Sequence, residues 1–141
     1  MGKINVGRLI LGGIVAGVVA DLLDYLVDNL LLGQKWAVEM GLLGHNVYST
    51  TMLIEFELIG IAGGLVAIWI YAGIRPRFGP GLKTAIYAGV AAWIIGVLLP
   101  NASYMYVSGL FTKHLTLYTT LGGFVEVVVG TIAGAALYKE S

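Results

Sequence analysis

Leu9-Ile-Leu-Gly-Gly-Ile-Val-Ala-Gly-Val-Val-Ala-Asp21-Leu-Leu-Asp24-Tyr-Leu-Val-Asp28-Asn-Leu-Leu-Leu32 decides how this chain is read. It is longer than the about 20 apolar residues a helix needs to cross a bilayer core. It holds no Lys or Arg, yet it carries three aspartates. At about 100° per residue, Gly13, Gly17, Asp21, Asp24 and Asp28 fall on one stripe about 80° wide. Gly13 and Gly17 form a G-x-x-x-G pair, which lets a second helix approach closely. The carboxylates share the packing face, so they point into a bundle and away from lipid.

Three further stretches have the same character, at 50–74, 84–108 and 115–138. The four spans use most of the 141 residues, of which 58% are hydrophobic and 11% charged. Soluble domains carry about 25% charge, so a soluble fold is excluded. The expected architecture is all-α: one domain over 1–141, a polytopic four-helix membrane protein. Eight basic and eight acidic residues cancel, so no global field draws nucleic acid. With no cysteine there are no disulfides, thiolate metal sites or iron–sulfur clusters.

Lys3, Arg8, Arg75, Arg77, Lys83 and Lys139 fall on one side of the spans, with Lys35 and Lys113 on the other. The positive-inside rule then places both termini and the 75–83 loop in the cytoplasm. In that loop Pro76 and Pro80 are expected to stop helices, Gly79 and Gly81 to permit a tight turn, and Arg75, Arg77 and Lys83 to meet lipid phosphates. The 33–49 connector carries Trp36, Val38, Met40, Leu42 and Leu43 and suggests a short interfacial helix. Pro100 is expected to kink the third span, with Asn101 and Ser103 occupying freed backbone groups.

Two segments echo each other. Ala16-Gly-Val-Val-Ala20 returns as Ala88-Gly-Val-Ala-Ala92, and Ile61-Ala-Gly-Gly64 as Ile132-Ala-Gly-Ala135, the latter register also aligning Glu55 with Glu126. This fits a parallel two-helix repeat about the membrane normal.

In the second span Glu57, Gly60, Gly64, Ala67 and Tyr71 share a face, and in the fourth Thr119, Gly123, Glu126, Gly130 and Ala133 do. Asp21 and Glu126 come close to the bilayer middle. A charged group there costs about 2.5–3.5 kcal/mol on insertion scales and calls for protonation, an aqueous cavity or a bound cation. Asp21, Asp24, Glu57 and Glu126 are therefore the primary candidates for an outward-open acidic cavity. Asp28, Glu55, Asn101 and Tyr104 are secondary, and His45 and His114 are rim candidates for a metal. Interhelical hydrogen bonding or wet headgroups would accommodate the same carboxylates without any function. The glycine faces of spans one, two and four exceed what one compact bundle buries, so a homo-oligomer or other membrane subunits are expected partners, alongside lipid.

No dinucleotide or phosphate-loop spacing occurs, Glu126 is followed by three valines where a di-metal helix needs Glu-x-x-His, and no serine has a positioned histidine. No catalytic residues are identified, no cofactor is expected, and an enzyme is the less favoured class.

Ile74-Arg-Pro-Arg-Phe-Gly-Pro-Gly-Leu-Lys-Thr-Ala85, together with the Gly-rich run leading to Asp21 and Asp24, resembles small four-helix bacterial inner-membrane proteins of no assigned activity. The resemblance implies a bacterial inner membrane and four helices, and transfers no site residues. Three functions stay open: cation or proton handling by the acidic cavity, an accessory or assembly subunit, and a lipid-binding or lipid-modifying protein using one carboxylate as general acid or base.

Overall fold

A computed structural model describes residues 3–45 and 49–140. The described residues form five helices and no strand: α1 (Val6–Leu31), α2 (Gly33–Leu42), α3 (Thr50–Phe78), α4 (Leu82–Val107) and α5 (Lys113–Leu137). All but α2 are long and apolar enough to cross a membrane. Leu22, Ile59, Trp69 and Ile95 are among the many large apolar side chains left on the outside, as a lipid-facing surface requires. The chain is a multi-pass integral membrane protein.

Three helices start where a side chain caps them. Asn5 Oδ1 accepts from Arg8 N at 3.1 Å, Ser49 Oγ from Met52 N at 3.3 Å and Thr112 Oγ1 from Leu115 N at 3.3 Å. Pro76 does not end α3, contrary to the sequence expectation. The helix runs on to Phe78, because a proline so near the end removes one donor while Gly79 N still bonds the Arg75 carbonyl at 2.8 Å. The turn comes at Gly79 (φ +82°) and Gly81 (φ +121°), both conformations that suit glycine. Tyr71 Oη accepts from Gly81 N at 3.2 Å and Thr84 Oγ1 donates to Gly79 O at 2.7 Å, pinning the turn to both helices.

α1 packs along α3 and α5, and α4 along α5 and α3. Without water to expel, close van der Waals contact carries this association, and glycine permits it. A Cβ on Gly17 would lie 2.5 Å from Ile61 Cα and 2.9 Å from Gly60 O, and one on Gly64 would run into the backbone of Gly13 and Gly17. Gly130 meets the Ala16 carbonyl, and Gly89 faces Val128 Cα and Thr131. Gly17 and Gly89 are matched positions of the sequence echo, and of their neighbours Gly60 and Thr131 also match, whereas Ile61 and Val128 do not. Glu55 and Glu126 do not match in this way, since Glu55 is exposed and Glu126 buried.

The glycine stripes of spans one, two and four are thus filled within this one chain, which corrects the expectation that they overflow the bundle. Within the four spanning helices, a Cβ at Gly63, Gly73 or Gly96 would meet nothing within 4 Å.

The core around Ala16, Ile68, Ala72, Ala85, Ala88 and Ala135 lies toward the 75–83 loop. Tyr71 and Tyr138 close it edge to face, 5.9 Å apart. Toward α2 the backbone changes. α1 is π-helical over Tyr25–Leu31, and α4 is π-helical over Ile94–Leu98 and Asn101–Val107, on either side of Pro100. Ser103 Oγ donates to Leu99 O at 2.9 Å, while Asn101 Nδ2 donates to Thr120 Oγ1 on α5 at 3.0 Å.

Candidate functional site

Asp24 is the last α-helical residue of α1, and Asp28 lies in the first turn of the π-helical segment that follows. Such wide turns occur often at functional sites. α5 meets this stretch with Gly122: a Cβ there would lie 2.7 Å from Val27 Cγ1 and 3.2 Å from Glu126 Oε1. Its absence lets α1 approach and leaves Glu126 room one turn later. Carboxylate oxygens of Asp24, Asp28 and Glu126 come within 4.8 Å of one another. Glu126 is 7% exposed, and its Oε1 is buried with no hydrogen-bond partner. It adjoins Val125, the midpoint of α5. The basic residues of the four spans, Arg8, Arg75, Arg77, Lys83 and Lys113, lie in first or last turns, far along the helices from this point.

Beside this group an open cavity of about 180 Å³ is lined by Asp24, Asp28, Asn29, Trp36 and Glu57, with Tyr25, Met40, Met52, Leu53 and Phe56 as its apolar wall. The cavity therefore reaches Asp24 and Asp28 directly, and Glu126 stands behind them. Asp21 is not on this lining. It packs over Gly60 of α3, where any side chain would displace its carboxylate, and its buried Oδ2 has no partner. Glu57, one turn from Gly60, is near both Asp21 and Asp24. The expected quartet is thus divided: Asp24 and Glu57 line the cavity, whereas Asp21 and Glu126 do not.

α2 covers the site. Trp36 Nε1 donates to Asp28 Oδ1 at 3.1 Å, and the indole packs edge to face on Phe111 with centroids 5.3 Å apart. Glu39 holds α2 down by accepting from Thr112 N at 2.8 Å and from Thr112 Oγ1 at 2.5 Å, so the residue that caps α5 also anchors α2. Beneath, Leu32, Met105 and Leu115 form a small apolar cluster with Val27 and Trp36 against it.

The remaining candidates lie elsewhere. Glu55 and Tyr104 are exposed, and Asn101 is engaged with Thr120 in joining α4 to α5. His45 is exposed just beyond α2, and His114 is exposed and stacked beside Tyr118, so neither histidine joins the carboxylate group. Arg75 pairs with Glu140 at 2.7 Å and sits over the Tyr138 ring, so part of its guanidinium is engaged within the chain. Arg77 and Lys83 remain exposed.

The sequence makes Asp28 a secondary candidate, and the structure sets it beside Asp24 and Glu126. The signal for that grouping is the stripe it shares with Asp24, four residues earlier. Trp36 and Glu39 had no such signal, since their partners are set by how α2 folds back. Compared with protein-family models, curated proteins and solved structures, the chain matches none of them.

Proposed function

We propose that this membrane protein handles cations, protons included, at Asp24, Asp28 and Glu126, with the cavity as their route to water. One observation carries the reading: a buried mid-span glutamate, lacking a hydrogen-bond partner at Oε1, sits against two carboxylates with no basic residue at that depth. Like charges so close repel, and a cation relieves both the repulsion and the desolvation. The basic side chains counted along the sequence support an orientation with both termini in the cytoplasm and the cavity facing out, and the resemblance of the 74–85 stretch implies a bacterial inner membrane. In it, Arg77 and Lys83 meet inner-leaflet phosphates.

The test is flux in proteoliposomes under proton, sodium, potassium, calcium and magnesium gradients. Flux of at least one cation is expected in the parent chain, with loss in Glu126→Gln of helicity and elution volume equal to the parent. Equal flux in both proteins, or none in the parent, would defeat the proposal.

A second reading rests on a different observation. Gly63 meets open space on the outer face of α3, where a helix of a second copy or of another membrane subunit has room to approach. On this reading the protein is a subunit of a larger assembly. Gly63→Leu should then shift its mass in mild detergent toward the monomer, and an unchanged mass argues against it.

A further inference from the structure

We infer that Asp24, Asp28 and Glu126 form a binding site for a hard divalent cation of calcium size, an assignment that rests on the cation-handling reading and names the ion class. The donors are oxygens alone. The chain has no cysteine, and neither described histidine reaches the group, so nothing favours zinc or copper, which prefer nitrogen and sulfur. Three carboxylates exceed the charge of a monovalent ion, whereas a divalent one leaves a net charge near that of one carboxylate.

Ligand number agrees. Magnesium sheds water reluctantly and is usually held by one or two carboxylates, whereas calcium takes six to eight oxygens in a flexible arrangement. Three carboxylate oxygens within 4.8 Å of one another are close enough to share one such ion.

Glu126 gives a second indication beyond the clustering of acids. It is 7% exposed, its Oε1 is buried without a hydrogen-bond partner, and its carboxylate reaches the other two. Asp28 already accepts the Trp36 N–H through Oδ1, leaving Oδ2 for an ion, and that indole N–H orients the ligand as an outer-shell donor does. Water in the adjoining cavity completes the six to eight oxygens such an ion takes, and supplies its entry path.

Terbium(III), a hard lanthanide whose emission is sensitised by a nearby indole, is the probe. The full chain is placed in nanodiscs of neutral phosphatidylcholine, and terbium emission is excited through tryptophan. Trp36 lies against Asp28, so emission from the parent protein is expected. Calcium should displace the terbium at lower concentration than magnesium, zinc or sodium. Glu126→Gln and Asp28→Asn should each weaken terbium and calcium binding about tenfold or more, while Glu55→Gln matches the parent, all with parental helicity.

Displacement by zinc or sodium ahead of calcium overturns the ion class, and undiminished binding in both variants overturns the site. Absence of terbium and calcium binding alongside Glu126-dependent proton or monovalent flux overturns this inference and leaves the cation-handling proposal standing. Absence of both binding and flux defeats the two together.

Discussion

Toward the 75–83 loop the bundle is built from Gly, Ala and two tyrosines, with backbones in contact and helices of regular α geometry. Toward α2 the same α1 and α4 widen into π-helical turns, carboxylates replace the small residues, and a cavity opens beside them. The first half gains its cohesion from dispersion between closely approaching backbones. The second gives up that contact, gathers carboxylates beside a cavity, and is held by a few polar clasps from α2. Stability and chemistry are thereby placed in different halves of one pair of helices, and a substitution should act on one without the other.

The sharpest contrast is between neighbours on α3. Gly64→Val, which drives a side chain into the Gly13–Gly17 backbone, should destabilise the protein by about 3 kcal/mol or more, visible as lost yield or a strongly lowered midpoint in thermal unfolding. Asp24→Asn should leave that midpoint within about 1 kcal/mol of the parent while weakening cation binding, since it removes a repelling charge and keeps the shape. A collapse of Asp24→Asn equal to that of Gly64→Val would erase the division between the halves.

The clasps come next in size. Trp36→Phe keeps the contact with Phe111 and removes the bond to Asp28, and should cost about 1 kcal/mol. Hydrogen exchange should quicken in Gly33–Leu42 with little change over Ile61–Ala72 if the halves are independent. Equal quickening in both would show them coupled.

At the loop end, Arg75→Gln breaks a partly exposed ion pair with Glu140 and leaves Tyr138 on Tyr71. A double-mutant cycle with Glu140→Gln should give a coupling of about 1 kcal/mol or less. A much larger value would make this end depend on charge as well as on packing.

The smallest effect has the opposite sign. Gly63→Ala meets open space beside the intolerant Gly64 and should stabilise the helix by about 0.5–1 kcal/mol. Destabilisation there, joined to a fall in oligomer mass, would mark this face as a contact.

Much of this was legible in the residues. Four spans, their boundaries within a few positions, the short helix in the 33–49 connector and the faces bearing glycine and carboxylate follow from length, hydropathy and a 3.6-residue period, because a bilayer demands apolar helices and admits polar groups only inward. What periodicity cannot supply is which neighbour each face meets and where the period itself changes. It shows that Gly123, Glu126, Asp24 and Asp28 look inward. It does not show that α5 meets α1 at Val27, that α1 turns π-helical at Tyr25, or that α2 folds back to set Trp36 on Asp28. It likewise places Arg75 in the loop region without revealing that Glu140 pairs with it.

Helix existence and inward faces are thus local consequences of sequence in a solvent that cannot hydrogen-bond the backbone. The partition of Asp24, Asp28 and Glu126 from Asp21, Glu55 and the histidines was decided by tertiary packing alone. Contacts between helices depend on the shapes that three or four segments present together, and no one segment's period records them.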